Sequence, residues 1–328
     1  MGKRTTVYNK GLTANWDLVS QENKTLLSDY ITYCKSTNHS PQTCMQYEQQ
    51  LKIYLCYIQS HLNNKHFTDI KKRELIAFFG FLQNECEVSP NRLKSVKAVI
   101  SSMSNYIVDV LDDEYPSFRN ITSSFKIGPA QPVREKTVFT DDMLQQMFDA
   151  LVLNGYLQEA CFFAVIAFSG ARKAEALQVL ISDFDDSRIV LGGQYWETHL
   201  MRTKGRGKEG KMLKKYIEIN GVKKYFDLWM EERQRLGITD EHLFYNAGVK
   251  RPANVADVDM FIDIARRLSG AEIYCHSLRH YFVSRARKGR VPDVVIQGLV
   301  GWADPSMINV YDDREVSETL ADYFTPIT

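Results

Sequence analysis

The 328-residue sequence predicts a mainly α-helical protein with a small antiparallel β-sheet, divided into two domains. Three observations support this class. Apolar residues recur at helical spacing between positions 20 and 115, and short apolar runs alternate with glycines between 181 and 219. A polar segment with Pro and Gly, residues 126–136, separates the two regions. We therefore expect an all-helical bundle followed by an α+β domain.

Composition excludes several classes of protein. No apolar run approaches the length of a membrane span, and the basic N-terminus has no apolar core behind it, so it is not a secretory signal. The cysteines show no close metal-ligand spacing, and several lie within apolar helical patterns, so we expect buried, reduced thiols in a cytoplasmic protein. They are Cys34, Cys44, Cys56, Cys86, Cys161 and Cys275.

Charge is unevenly distributed although the net charge is only +1. Residues 1–136 carry +4 and the remainder −3. Residues 202–215 hold seven bases and one acid, and the tail after Tyr311 holds five acids and one base. Positive patches beside an acidic tail fit a DNA-binding protein that also makes protein contacts, and they fit solvated surface loops equally well.

The first region contains four predicted helices, after a flexible arm of 19 residues. Ser40-Pro41 and Ser89-Pro90 each combine a capping serine with a proline that suits the first helical turn. The third helix begins at Asp69 or Lys71. The apolar faces are Leu26, Leu27, Tyr30, Ile31 and Cys34; Tyr47, Leu51, Tyr54, Leu55 and Ile58; Leu75, Phe78, Phe79 and Leu82; and Leu93, Val96, Val99, Ile100, Met103 and Ile107.

The second region begins with a helix capped by Thr140, followed by a nearly all-apolar helix, Leu157–Phe168, that we expect to be buried. A short helix then starts near Arg172. The predicted strands are Ile189–Leu191, Tyr195–Met201 and Lys215–Ile219, with turns at Gly192-Gly193 and Gly205–Gly210. From Val222 onward the pattern is helical again.

Three stretches carry residues suited to chemistry. In Ser169–Leu177, Arg172 lies at a helix start and Glu175 one turn later. Met201–Lys211 is a basic, glycine-rich hairpin. In Cys275–Tyr311, His276 and Arg279 are three apart and share a helix face, and Gly289 ends that helix. A second helix, Val294–Val300, precedes Gly301-Trp302, and Tyr311 follows nine residues after Trp302.

Each of these residues alone has an ordinary structural explanation. An arginine at a helix start is usually a capping or surface residue, a lone histidine or tryptophan usually belongs to the core, and Tyr311 is one of 17 tyrosines. The order and spacing of the whole set are what favour a catalytic site.

The set resembles the tyrosine recombinase/phage integrase family, in particular its Cre-like and Xer-like members. The family pattern Gly-x-Arg-x-x-Glu is matched by Gly170, Arg172 and Glu175; the hairpin lysine by Lys204; His-x-x-Arg by His276 and Arg279; and Gly-Trp with a tyrosine nine residues on by Gly301-Trp302 and Tyr311. The resemblance implies an arm at 1–19, a helical, SAM-like core-binding DNA-binding domain at 20–122, a linker at 123–136, a catalytic domain at 137–315, and a tail helix at 316–328 for contact between protomers.

The resemblance also implies a role for each residue. Tyr311 is the nucleophile that attacks a DNA phosphate. Arg172 and Arg279 stabilise the charge that builds on the nonbridging oxygens, because a guanidinium offers a planar fork of donors. His276 accepts or donates the proton near the phosphate. Lys204 protonates the departing 5′ oxygen, with Lys208 and Lys211 as alternatives on the same hairpin.

Three further residues support these groups. Trp302 holds the phosphate through its indole N–H, which can only donate. Glu175 orients the catalytic side chains without contacting the phosphate, and His280, next to Arg279, has either the same supporting role or a purely structural one. The resemblance implies neither a metal ion nor ATP, because the phosphotyrosine conserves the energy of the broken bond.

Residues that contact DNA are predicted in both domains. Arg92, Lys94 and Lys97 open the fourth helix, and a solvated helix face is the equal alternative. Arg202, Arg206 and Lys208 lie on the basic hairpin.

The resemblance implies a site-specific recombinase that acts through a Holliday junction, integrating or excising a mobile element. It would assemble as a homotetramer on two DNA sites, exchange its tails in trans, and use accessory DNA-bending factors. We expect a cytoplasmic, nucleoid-associated protein encoded by a bacterium or phage. Two alternatives stay open: relaxation of DNA like that of a type IB topoisomerase, and DNA binding without catalysis.

Overall fold

The computed structural model describes residues 11–128, 139–203, 205 and 210–302. The chain divides into two compact units, the first holding the described residues 11–128 and the second the described residues from 139 onward. Each unit has its own apolar core. The domain boundaries within 129–138, like the arm up to residue 10, lie outside the described residues.

The first unit is a bundle of four α-helices, as the sequence predicts. They are α1 (Gln21–Ser36), α2 (Pro41–His61), α3 (Lys72–Asn84) and α4 (Pro90–Val110). The side chains of Ser40 and Ser89 accept hydrogen bonds from backbone N–H groups of the first turns of α2 and α4. Lys71 immediately precedes α3, which decides between the two predicted starts. The predicted apolar faces are buried apart from Tyr47, which is partly exposed.

The described part of the second unit contains seven α-helices, one of which is buried at the centre. They are α5 (Asp141–Leu153), α6 (Leu157–Ala167), α7 (Lys173–Ala176), α8 (Ile219–Arg235), α9 (Val255–Ser269), α10 (Cys275–Lys288) and α11 (Asp293–Val300). Every residue of α6 from Glu159 onward is buried, as its apolar composition predicts. Helices α5, α8 and α10 all pack on α6.

Within the described ranges the strands form three small antiparallel sheets instead of one. They are β1 (Ile189–Val190), β2 (Tyr195–Glu197), β3 (Met201–Thr203), β4 (Lys211–Leu213), β5 (Tyr216–Glu218), β6 (Tyr245–Asn246) and β7 (Arg251–Pro252). The sheets are β1-β2-β5, β3-β4 and β6-β7.

The predicted strand boundaries were wrong at three places. The strand predicted over Tyr195–Met201 is interrupted at Thr198 and His199, where buried Asp183 accepts the His199 backbone N–H at 2.7 Å. Leu191 leaves β1 because it has a positive φ of 54°. The strand predicted over Lys215–Ile219 is β5, Tyr216–Glu218, because Ile219 already begins α8. The β6–β7 hairpin was not predicted.

The six cysteines are buried and none forms a disulfide, as predicted. Within the part of the chain that the structure describes, no helix has the length and apolarity needed to cross a membrane.

Candidate active site

The turn after α6 presents Arg172 at the start of α7. Gly170 has a φ of +63°, and a Cβ there would lie 2.5 Å from Cδ1 of Phe282, so glycine is required on both grounds. The side chain of Ser169 donates to the carbonyl of Val165 and accepts from the N–H of Ala171. The buried helix therefore ends in a rigid turn that places Arg172 at a defined position.

Glu175 orients Arg172 through two contacts. Its Oε2 accepts from the Arg172 backbone N–H at 2.9 Å, and its Oε1 accepts from Nη1 of the Arg172 guanidinium at 2.6 Å. Glu175 is 2% exposed, whereas the Arg172 side chain is 27% exposed. The carboxylate is thus buried behind a guanidinium that reaches the surface.

Arg279 lies on α10 with its guanidinium buried. Nη1 donates to the carbonyl of Gly170 at 2.6 Å, and Nη2 donates to the carbonyl of Val300 at 2.8 Å. Its Cζ lies 5.5 Å from the centre of the Trp302 ring, and Nη1 is 4.0 Å from Oε2 of Glu175. Arg279 therefore joins the turn after α6 to the end of α11.

Lys215 is a member of this site that the sequence analysis missed. Its side chain is 1% exposed, with Nζ 3.2 Å from Oε2 of Glu175 and donating to the carbonyl of Leu299 at 3.1 Å. Burial lowers the pKa of Lys215 to about 8, although the Glu175 carboxylate opposes that shift. The signal was present in the sequence: Lys215 alternates with Ile217, which faces the core, so a period of two places it on the buried face.

Together Arg172, Glu175, Lys215 and Arg279 form what we call the charge cluster. It holds three cations and one carboxylate. Burial opposes ionisation of Glu175, but Lys215 and the hydrogen bonds from Arg172 outweigh it, and the pKa of Glu175 lies below its ordinary value. Carbonyls at the C-terminal end of α11 accept from Lys215 and Arg279, where the helix dipole favours cations. The cluster keeps an excess of positive charge that suits an anion.

His276 lies beside the charge cluster and its side chain is exposed. Desolvation by neighbouring protein atoms, with the positive charges of Arg279 and Arg172, lowers the pKa of His276 below its ordinary value. The lowered pKa favours the neutral imidazole, which is the form that can accept a proton. His280 packs edge-on against it, with ring centres 5.3 Å apart.

Trp302 is buried directly after α11. Gly301 has a φ of +72°, and a Cβ there would lie 2.6 Å from Cδ1 of Leu213 on β4. Side chains larger than glycine would therefore displace the turn that orients Trp302. The structure thus brings together Arg172, Glu175, His276, Arg279, His280 and Trp302 from the predicted set.

Not every predicted residue can be placed in this group. Tyr311, Lys204, Arg206 and Lys208 lie outside the described residues. Arg202 is exposed on β3, where its backbone N–H and carbonyl bond to the side chain of Gln178.

The predicted DNA contacts of the first unit lie on α4. Lys94 is exposed and Arg92 partly exposed, whereas Lys97 donates to the carbonyl of Phe125 at 2.6 Å. The Lys97 ammonium also lies 4.7 Å from the centre of the Phe125 ring. Lys94, Lys97 and Lys126 line a shallow depression of about 430 Å³.

Comparison with known protein sequences gives a consistent answer. The model of the phage integrase family matches residues 137–318. A tyrosine recombinase of Thermosipho africanus (strain TCF52B) is 19% identical over 305 residues, which cover 87% of this chain and 93% of that protein. The tyrosine recombinase XerD of Chlamydia muridarum (strain MoPn / Nigg) is 21% identical over 201 residues, which cover 61% of this chain and 63% of that protein.

Solved structures share the fold. A lambda integrase dimer bound to a COC′ core site superposes with a TM-score of 0.66 at 18% identity, covering 89% of this chain and 96% of that one. The Tn1549 transposon integrase in complex with transposon right end DNA superposes with a TM-score of 0.67 at 14% identity, covering 91% of this chain and 98% of that one. A lambda integrase tetramer bound to a Holliday junction gives 0.65 at 17% identity, covering 89% and 78%.

Proposed function

This chain belongs to the phage integrase family and is a tyrosine recombinase of site-specific DNA recombination, and we propose that it acts through a covalent 3′-phosphotyrosine at Tyr311. The observation that carries the proposal is the charge cluster. Its three cations face one carboxylate, so a DNA phosphate supplies negative charge that the cluster lacks.

The cluster fits the demands of phosphodiester cleavage. Attack on phosphorus places additional negative charge on the nonbridging oxygens, and fixed cations in a partly buried site stabilise that charge more strongly than water does. Arg172 is the more exposed of the two arginines and would meet the phosphate first. Arg279 adds a second positive charge whose position is set by two backbone carbonyls.

Proton transfers accompany the two bond changes. Neutral His276 takes the phenolic proton of Tyr311 as the tyrosyl oxygen bonds to phosphorus. The bond from phosphorus to the 5′ oxygen breaks, and Lys204 gives that oxygen a proton. Rejoining reverses these steps: a 5′ hydroxyl from the partner strand attacks the phosphotyrosine and releases Tyr311. The phosphodiester is conserved throughout, so the steps balance without ATP.

Strand exchange requires several protomers to hold two DNA duplexes. We propose a homotetramer on two specific sites that passes through a Holliday junction, and the fold shared with a lambda integrase tetramer bound to such a junction supports that arrangement. The fold shared with the Tn1549 transposon integrase supports integration or excision of a mobile element. Accessory DNA-bending factors and association with the nucleoid belong to the same proposal.

The DNA contacts and the domain division are part of this proposal. The helical domain at 20–122 and the catalytic domain at 137–315 would each contact the duplex. Arg92 and Lys94 are accessible on α4 for phosphate contact, and Arg202 on β3. Lys97 would have to give up its bond to Phe125 to contact DNA.

A trapping assay tests the chemistry directly. Wild type and Tyr311→Phe are incubated in EDTA with suicide duplexes drawn from the sequences that flank the gene, and products are resolved on denaturing gels. We expect a DNA-linked band with wild type only, while both proteins shift the same DNA on native gels. Failure of wild type to form the band, with accessory factors supplied, would refute the catalytic proposal.

Relaxation and recombination separate in a second assay. A type IB topoisomerase-like enzyme relaxes supercoiled DNA as a monomer and joins each strand back to its own partner. We expect recombinant products from a plasmid that carries two sites, and none from a plasmid with one. Relaxation of both plasmids at equal rates, without recombinants, would identify a topoisomerase.

The tail at 316–328 lies outside the described residues and is proposed to join neighbouring protomers in trans. Deleting it should abolish the assembled two-site complex on native gels and leave binding to a single site intact. Unchanged assembly would refute the proposed exchange.

A further inference from the structure

Lys215 contacts two of the motif-bearing stretches, through Glu175 in Ser169–Leu177 and Leu299 in Cys275–Tyr311. We propose that Lys215 is a positioning residue for DNA strand cleavage: its buried ammonium links Glu175 to the end of α11 and so holds Arg172 and Trp302 in one arrangement. This inference rests on the proposed function and assigns the reaction a residue outside the predicted set. Lys215 is 1% exposed, so it acts through its neighbours and not by contact with DNA.

The first link runs from Lys215 to Arg172 through a shared oxygen. Oε2 of Glu175 lies 3.2 Å from Nζ of Lys215 and accepts from the Arg172 backbone N–H at 2.9 Å. The other oxygen of the same carboxylate pairs with the Arg172 guanidinium. Because both oxygens are engaged, rotation of the carboxylate would break contacts on both sides, and Lys215 limits that rotation.

The second link runs to α11. Nζ of Lys215 donates to the carbonyl of Leu299, and Arg279 donates to the carbonyl of the next residue, Val300. Two adjacent carbonyls at the end of the helix thus receive two different cations. Trp302 follows two residues later, so its position depends on both bonds.

The third link runs to the hairpin strands. The Lys215 backbone N–H donates to Oγ1 of Thr198 at 2.8 Å, and the Lys215 carbonyl accepts from the Thr198 N–H at 2.9 Å. Thr198 lies three residues before β3 begins at Met201. One residue therefore fastens the base of the basic hairpin to the carboxylate behind Arg172 and to the end of α11.

The charge of Lys215 can be removed by pH, which makes the role testable. The charged groups that face its ammonium are Glu175 and Arg172 from the α7 region and Arg279 from α10, and α11 contributes the Leu299 carbonyl. Burial is the largest effect and lowers the pKa of Lys215 to about 8. Above that pH the ammonium loses its proton, and the neutral amine no longer attracts Glu175. An arginine at this position stays charged.

The experiment compares single-turnover cleavage by full-length wild type, Lys215→Met, Lys215→Arg and Lys214→Met at saturating DNA. Lys214 is the matched control, because it is adjacent, 42% exposed and paired with Glu197 in a surface ion pair. Each protein is assayed on a normal suicide duplex and on one with a 5′-bridging sulfur. The thiolate leaves without needing a proton, because a thiol is far more acidic than an alcohol.

We expect Lys215→Met to lower the cleavage rate about 100-fold on both substrates, as loss of an orienting contact does, with DNA binding unchanged. Lys214→Met should match wild type. The wild-type rate on the sulfur substrate should fall as the pH rises above about 8. Lys215→Arg should restore most of the rate and move that fall to higher pH.

Three outcomes would overturn the inference. One is a folded Lys215→Met that cleaves like wild type. Another is recovery of Lys215→Met on the sulfur substrate alone, which would make Lys215 a proton donor. The third is a fall in cleavage rate at alkaline pH that occurs at the same pH in Lys215→Arg as in wild type. This comparison keeps the test decisive even if Lys215→Met does not fold. Absence of cleavage by wild type itself would instead overturn the proposed function.

Discussion

The two units bury very different polar groups. Among the described residues of the first unit, the buried polar side chains are Asn23, Gln50, Ser104 and Thr122, all of them neutral. The second unit buries charged side chains: Glu159, Glu175, Asp183, Lys215, Arg233, Asp257 and Arg279. Burial of a charge costs several kcal/mol unless it is paired and hydrogen-bonded, so the second unit bears a cost that the first avoids.

Two buried arginines in the second unit show that burial alone does not identify a site. Arg233 donates to the carbonyls of Asp240, His242 and Leu243, and its contacts tie α8 to the loop that follows it. Arg279 also bonds to two carbonyls, but it lies beside Glu175 and near two more cations. The excess of positive charge, and not the buried arginine as such, distinguishes an anion site from a structural one.

The largest expected effect tests whether that excess charge is used for chemistry. Arg172→Ala should lower the rate of covalent attachment by about 10²–10³, the usual cost of removing one group that stabilises transition-state charge. Arg235→Ala is the control, because its side chain is 71% exposed and pairs with Glu232 at the surface. Single-turnover gels measure both. Equal rates for the two variants would show that the excess positive charge of the second unit is not used for chemistry.

The second-largest effect is expected on stability, when the one carboxylate of the charge cluster is removed. Glu175→Gln should lower the free energy of unfolding by about 3 kcal/mol, because it leaves buried cations without their partner. Urea denaturation measures the change, with surface Glu232→Gln as the control at under about 1 kcal/mol.

The loss of stability in Glu175→Gln should depend on pH. The pKa of Glu175 is lower in the folded protein than its ordinary value of 4.5, so its stabilisation is fully present above pH 4.5 and is lost as the pH falls further. The difference between wild type and Glu175→Gln should therefore shrink in acid. A constant difference across that range would show that the carboxylate charge is not involved.

A smaller rate effect is expected at the exposed edge of the site. His276→Gln should slow covalent attachment about 100-fold at pH 7, the usual size of a general-base contribution. The pKa of His276 is lowered from 6.5, so the wild-type rate should be flat near neutrality and fall only at lower pH, as the imidazole gains a proton. His242→Gln, at a half-buried pair with Asp240, is the control. If the rate of covalent attachment still falls at acid pH in His276→Gln, a residue other than His276 is the general base.

The smallest effect is expected in the first unit. Ser89→Ala removes the cap of α4 and should cost about 1 kcal/mol of stability, measured by thermal or urea unfolding. Cleavage at saturating DNA should not change, because the first unit contributes no charged group to the cluster. A slower chemical step in Ser89→Ala would mean that α4 acts in catalysis.

Local signals in the sequence determined most of the first unit. Serine caps, helical spacing of apolar residues and prolines in the first turn act within a few residues of one another, so they could be interpreted without the fold. The same holds for α6, whose uniform apolar composition predicts burial. The positions of Arg172, His276, Arg279 and Tyr311 along the chain predicted the family for a related reason, because their spacing is a property of the chain itself.

The tertiary structure alone decided which groups meet. The strand predicted over Tyr195–Met201 breaks because Asp183, from an earlier turn, accepts the His199 N–H. The alternation with Ile217 places Lys215 on the buried face, but only the fold brings α7 and α11 to it with a carboxylate and a carbonyl. A charge in a protein core needs pairing and hydrogen bonds, and for Lys215 those partners lie 40 and 84 residues away in sequence, where local patterns carry no information about them.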